Sequence, residues 1–332
     1  MIAVDLKALP ISVVMSCYNA ERWLAESIES VLHQTWQDFE FIIVDDGSKD
    51  GTSRIIRNFA KTDSRIIPVS KANTGLADSL NTGIDCARGV WIARLDADDL
   101  CEPKRLELQW RAASADSTLV FVGTGSALID EDGVPFSVYR FPSSHRQLVS
   151  HLITARKFPP HSSALFRSDA FHRVGGYRPR IRRAEDCDLW LRLSEIGRLG
   201  SIDPVLVRIR RHDRQISFED GGRQATIDSR VAMAAHCLRK AENPDPVDLA
   251  PGAFEEFRAW VADQLERENV FGREAFRSEL KSAARNLTLH KLFRTVKLAQ
   301  SDPKLVWQLG VEKLIGTNLA HRLATKWIAR CE

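Results

Sequence analysis

The sequence predicts an α/β protein whose core is a parallel, doubly wound sheet, followed by a helical appendage. Three observations lead there. Short β-branched runs alternate with amphipathic stretches over the first half of the chain, and short turns join them, which implies βαβ units. Acidic clusters fall at the ends of two of those runs, where open α/β sheets bind ligands. Beyond about residue 222 the pattern is helical only, broken by Pro244, Pro246, Pro251 and Pro303.

The elements follow in order. Residues 11–17 form a compact β-branched run, and Asn19 leads into an amphipathic stretch at 21–34. A second strand at 39–44 ends in Asp45-Asp46-Gly47-Ser48, after which Asp50 or Ser48 is placed to cap a helix through residue 59. A third strand at 66–70 precedes Asn73-Thr74-Gly75 and a helix to 87, and a fourth at 90–95 runs into Asp96-Ala97-Asp98-Asp99. A helix over 102–113, a strand at 119–122 and a hairpin or loop around 130–133 come next. Leu189, Trp190, Leu193 and Ile196 fall at helical spacing within 185–196, and 199–209 returns to strand character. The expected domains are 1–218, an α/β core, and 219–332, helical.

Composition narrows the function. The 332 residues carry a net charge of +3, too small to argue for nucleic acid, and no nucleic-acid partner is expected. The excess is local, because from Lys281 onward ten Lys and Arg face three acids. Six scattered cysteines without CxxC spacing read as reduced packing residues. No leader pattern and no apolar run of bilayer length is present, so a cytoplasmic protein is expected, with a peripheral place at the inner face of the membrane left open. Residues 287–299 and 305–329 mix apolar and basic side chains at helical spacing. They read either as an interfacial helix meeting anionic lipid, or as a bundle on the core or a homodimer contact with a solvated basic face; the second reading is preferred.

Three clusters could carry chemistry. Crowded carboxylates such as Asp96, Asp98 and Asp99 repel unless a cation neutralises them, and Mg²⁺ or Mn²⁺ takes few protein carboxylates and fills its shell with phosphate oxygens and water. The structural alternative makes Asp99 a cap for the next helix. Asp45 and Asp46 could accept hydrogen bonds from a base or ribose, or could shape a turn. Glu185, Asp186 and Asp188 follow two arginines at a helix start, where the dipole favours acids, but one could serve as a general base.

In combination, residues 11–19, 44–48, Asn73-Thr74-Gly75, 95–99, 174–177, 184–193 and 208–217 resemble, in order and spacing, the family 2 glycosyltransferases. The resemblance covers about residues 10–218. It implies a GT-A fold, a Rossmann-like mixed sheet flanked by helices that binds a nucleotide-sugar donor, typically a UDP-sugar. It implies an inverting transfer to a glycan or lipid-linked acceptor, in cell-surface polysaccharide synthesis. By resemblance Ser16, Tyr18, Asp45, Asp46, Asn73, Ala97 and Glu185 line the donor site, with Asp46 at the base and Asp96 at the ribose. Asp98, Asp99 and His212 would hold Mn²⁺ or Mg²⁺, and Asp186 would be the catalytic base; for His212 a surface-loop role is the alternative. The arginine often found after Asn73-Thr74-Gly75 is absent, since Asp78-Ser79-Leu80-Asn81 stands there. Among rivals, an oxidoreductase would need GxGxxG where Cys17-Tyr18-Asn19-Ala20-Glu21-Arg22 stands, and a nucleotidyltransferase a glycine-rich basic loop. A non-catalytic sugar-binding relative is opposed by the presence of Asp98 and Asp186.

Overall fold

The strands that the sequence predicts as continuous apolar runs are the central ones. β1 (Ile11–Cys17) and β2 (Phe39–Asp45) are buried almost throughout, as strands covered on both faces must be. The computed structural model describes residues 9–213, 215, 220–271, 322–323, 325–327 and 329. It falls into two compact units, Met1–Glu219 and Asp220–Glu332.

In the first unit, β1, β2, β3 (Ile66–Ser70) and β4 (Trp91–Arg94) are parallel, in the spatial order β3-β2-β1-β4. β3 is an edge strand and tolerates Pro68 for that reason. The chain moves outward from β1 to β3, then returns to the other side of β1 as β4. That reversal opens a crevice at the carboxyl ends of β1 and β4. Beyond β4 the sheet turns mixed. β8 (Leu165–Arg167) runs antiparallel to β4 and to β6 (Leu119–Ile129), while β9 (Arg198–Arg210) runs parallel to β6. The two-residue β5 (Leu100–Cys101) pairs with β9, and β7 (Pro135–Tyr139) forms the expected hairpin with β6. The mixed sheet therefore agrees with the family resemblance rather than with a purely parallel one.

β6 continues seven residues beyond the strand end expected at 122. Gly123-Thr124-Gly125-Ser126 looks like a turn in sequence, yet the glycines are there for close approach. A Cβ on Gly123 would lie 2.4 Å from Pro159 Cβ, and one on Gly125 3.0 Å from the Asp203 carbonyl oxygen. The helices are α1 (Leu24–Leu32), α2 (Thr52–Thr62), α3 (Leu76–Asp85), α4 (Arg105–Ala115), α5 (His145–Ile153), α6 (Ser168–Arg173) and α7 (Glu185–Ile196). Asp50 Oδ1 accepts the Thr52 N–H at 3.0 Å as a cap would, whereas Ser48 Oγ serves the Asn19 N–H instead.

α7 rests on an aromatic cluster. Trp190 is buried with its ring 4.7 Å from Phe121 and 5.5 Å from Phe166. Its first turn is anchored by Asp188, fully buried between Arg178 and Arg192, the latter at 2.6 Å. Buried charge persists only when paired in this way.

In the second unit, α8 (Arg223–Lys240) packs on α9 (Pro251–Arg267), and Arg258 pairs with buried Asp228 at 2.8 Å. Trp327 lies 4.9 Å from Phe257 and 5.1 Å from Trp260, centroid to centroid. Residues 287–299 and most of 305–329, the expected basic helices, lie outside the described residues. No described helix is long and apolar enough to cross a membrane.

Gly47 links the fold to the crevice, with φ +74° and room for a Cβ only 2.8 Å from the Asn73 amide nitrogen. Gly47→Ala is expected to lose about 1–3 kcal/mol of stability in urea denaturation, from backbone strain and the displaced loop.

Candidate active site

Three strand ends meet at the crevice. Pairing aligns Cys17 with Asp45 and Val14 with Arg94, so the residues after β1, β2 and β4 lie side by side. Ser16 is half-buried and Tyr18 is 50% exposed at the mouth. Asp45 is buried and turned toward α2: Oδ1 accepts the Ser48 N–H at 3.0 Å and Oδ2 accepts the Ser53 hydroxyl. It shapes the turn, the structural alternative its sequence allowed.

Asp46 organises the exposed Asn73 loop. Its oxygens accept the Lys71 ammonium at 2.9 Å and the N–H groups of Thr74 at 3.0 Å and Gly75 at 2.9 Å. Burial opposes the charge, but these donors outweigh it and hold the carboxyl below the usual range. Its oxygens are engaged by the loop, so Asp46 shapes this side of the crevice through residues 71–75.

The acidic run after β4 divides by direction. Asp96 Oδ1 lies 2.5 Å from Arg94 Nη2, and Oδ2 accepts the Ser162 hydroxyl at 2.8 Å. Burial works against its charge; Arg94 and the Ser162 hydrogen bond prevail and lower its pKa. Ala97 is buried, and its carbonyl accepts the Ser27 hydroxyl at 2.9 Å. Asp98 is partly exposed, with Oδ2 2.8 Å from His212 Nε2. His212 is not a surface histidine: its side chain is 7% exposed and its ring lies 4.4 Å from that of Trp23.

Asp99 corrects the sequence reading twice. It caps no helix, because α4 begins six residues later without a side-chain cap. Nor does it present an oxygen to a metal, because it is 2% exposed with Oδ1 accepting the Arg210 N–H at 2.8 Å and Oδ2 on Ser162 Oγ at 2.5 Å. Burial and the charges of Asp98 and Asp96 push its pKa well up. A neutral Asp99 also resolves the hydrogen count, since the one Ser162 hydrogen cannot serve both carboxylates.

Glu185 and Asp186 open α7. Glu185 is buried, and desolvation and the charge of Asp186 push its pKa up to about 8. Asp186 is partly buried, and its Oδ1 accepts the Cys187 N–H at 2.7 Å. Desolvation and the charge of Asp96 raise its pKa, while that hydrogen bond and Arg94 oppose them.

Several residues of the site were not foreseen. Ser162 and His161 lie on the 3-10 turn His161–Ser163, where His161 Nε2 meets the Tyr177 hydroxyl at 2.6 Å. Arg210, 1% exposed, ties four segments together: Nε to the Asp98 carbonyl at 3.0 Å, Nη1 to the Glu131 carbonyl at 2.8 Å, Nη2 to Glu26 at 2.7 Å, and its own N–H to Asp99. The one sequence signal for Arg94 and Arg210 is a charged residue at the end of an apolar strand.

Two outcomes follow. Arg210→Met should destabilise the chain by about 3 kcal/mol or more in chemical denaturation, because it removes the buried guanidinium that holds Glu26 and the carbonyls of Asp98 and Glu131 together. Glu185 binds a proton in the folded state between its ordinary 4.5 and about 8, so stability falls as pH rises through that window. Glu185→Gln should remove part of that decline in melting temperatures taken from pH 4 to pH 9.

Comparison with known proteins places this geometry. Residues 12–179 match the model of glycosyl transferase family 2. EpsE of Bacillus subtilis (strain 168), a glycosyltransferase by name, is 38% identical over 235 residues, which span 69% of this chain and 82% of EpsE. The chondroitin synthase of Pasteurella multocida (strain Pm70) is 30% identical over 59% of this chain, which matches 20% of that synthase. Staphylococcus aureus TarS 1–349 in complex with UDP superposes with a TM-score of 0.56 at 19% identity, covering 96% of this chain and 87% of that one. The Pyrobaculum calidifontis mannosyltransferase PcManGT, in complex with GDP-Man and Mn²⁺, gives 0.53 at 20% identity, over 92% and 85%. These structures carry the fold, which is GT-A. The chain belongs to glycosyl transferase family 2.

Proposed function

We propose that this glycosyltransferase is metal-dependent and inverting, and that it moves a sugar from a nucleotide-diphospho-sugar to a hydroxyl of a glycan or lipid-linked acceptor in polysaccharide synthesis. Residues 1–218 are its catalytic domain and 219–332 its helical appendage. The observation that carries the reading is the pairing of Asp98 with His212 at 2.8 Å in the crevice at the end of β4.

A carboxylate and an imidazole are two ligands of a divalent site, and no third His, Cys, Asp or Glu joins them among the described residues. The remaining positions suit diphosphate oxygens and water, which is how Mg²⁺ and Mn²⁺ are commonly held beside substrate phosphates. The nitrogen donor favours Mn²⁺ over Mg²⁺, which takes oxygen. When bound, the cation supplies Lewis-acid relief of the charge on the leaving diphosphate.

The chain's own residues do the rest. Tyr18, Ser16 and the Asn73 loop border the space for the nucleoside. Asp96, held by Arg94 and Ser162, keeps its charge and offers an acceptor to a ribose hydroxyl. Asp186 takes the proton from the acceptor hydroxyl as its oxygen bonds to the anomeric carbon and the carbon–phosphate-oxygen bond breaks. One base and no enzyme nucleophile gives inversion. UDP is the favoured nucleotide, since TarS structures hold UDP and UDP-GlcNAc, with the GDP-Man of PcManGT as the contrast.

Asp186→Asn should lower turnover by about 10²–10⁴-fold, while UDP with Mn²⁺ still raises the melting temperature. Unchanged turnover sinks the assignment of the base. A protein that no nucleotide diphosphate stabilises with Mn²⁺ sinks the donor reading.

A further inference from the structure

Asp98 and His212 are joined by a closed circuit of contacts at the end of β4. Asp98 Oδ2 lies 2.8 Å from His212 Nε2. The Asp98 carbonyl accepts Arg210 Nε at 3.0 Å, and Arg210 Nη1 donates to the Glu131 carbonyl at 2.8 Å. That same carbonyl accepts the Trp23 indole N–H at 3.2 Å. The Trp23 ring then meets the His212 ring, with centroids 4.4 Å apart and planes inclined by 32°. Every link is polar except this last one.

The aromatic contact stands where a hydrogen bond is the rule. A histidine that ligates a metal through one ring nitrogen almost always donates the N–H of the other to a carboxylate, a carbonyl or water, which fixes its orientation. His212 Nδ1 is buried and meets no hydrogen-bond partner among the described residues. What lies against the ring instead is the indole. Trp23 has little freedom to turn away, because its N–H is held by Glu131 and cations flank its ring, Arg22 at 4.3 Å and Arg210 at 5.5 Å from the centroid. Arg22 is itself tied to the Glu131 carboxylate at 2.7 Å, so the β6–β7 turn braces the indole through both its backbone and its side chain.

We propose that Trp23 is a positioning residue for the cation site: its indole takes over the orienting task that no hydrogen bond performs at His212 Nδ1, and keeps Nε2 beside Asp98. The inference rests on the proposed role of Asp98 and His212 as metal ligands. Trp23 offers no ligand atom of its own, because its one polar atom is a donor and is engaged by Glu131. It acts through His212.

The test is Mn²⁺ binding by the full chain in the presence of UDP, read from the EPR signal of the free ion, which requires no turnover. Trp23→Leu should weaken Mn²⁺ binding about tenfold or more, the usual effect of losing the group that orients a ligating histidine. Trp23→Phe, which keeps a flat face toward the imidazole, should recover most of that loss. With His212→Ala already present, Trp23→Leu should weaken binding no further. Unchanged affinity in Trp23→Leu, or a loss as large in the His212→Ala background, overturns the proposal. Should Trp23→Leu not fold, fluorescence decides: Mn²⁺ with UDP should quench a part of the wild-type emission that Trp23→Phe lacks, and equal quenching in the two overturns the proposal. His212→Ala separates the two readings. Native Mn²⁺ affinity there removes the ligand assignment and the role of Trp23 with it, whereas weakened binding in His212→Ala beside native binding in Trp23→Leu removes only the role of Trp23.

Discussion

Carboxylates crowded at the ends of β4 and the start of α7 are the constraint on which the arrangement of this protein depends. Asp96, Asp98, Asp99, Glu185 and Asp186 converge there, and mutual repulsion would drive them apart without compensation. Each is stabilised differently. Asp96 has Arg94, Asp98 has His212, and Asp99 gives up its charge and keeps hydrogen bonds to Ser162 and the Arg210 amide. Glu185 gives up its charge through burial. These solutions draw on β4, β9, α7 and the turn before β8. The mixed half of the sheet therefore brings Ser162 and Arg210 to the crevice that the parallel half opens and Arg94 lines.

The parallel half was legible because strands buried on both faces must be apolar throughout, and β1 and β2 announce themselves that way. The mixed half was less so. β8 has three residues, too few for a periodic signal, and the glycines of β6 mimic a turn while serving close contact with Pro159 and Asp203. Within the site, the family resemblance pointed to Asp98 and His212, which lie 114 positions apart and meet at 2.8 Å. Spacing could not say which way Asp99 points, nor that Arg94 and Arg210 are buried, because a residue's type records its chemistry and not its direction. Ser162 and His161 stood in a stretch with no pattern; only the pairing of β8 with β4 brings them under the acidic run.

Adjacent acids at the start of α7 illustrate how environment divides a role that the sequence leaves shared. A stronger base results when burial raises a carboxyl toward neutrality, but a carboxyl raised too far holds its proton and accepts none. Glu185, buried and beside a second acid, is pushed to about 8 and is mostly protonated at neutral pH. Asp186, one position on and less enclosed, receives the Cys187 N–H and the field of Arg94, both of which favour its charge. A proton on Glu185 also removes one negative neighbour from Asp186. The two acids therefore sit in unlike surroundings: Glu185 is held neutral by burial, while the Cys187 N–H and Arg94 work against the rise that burial imposes on Asp186, which suits the base proposed for it.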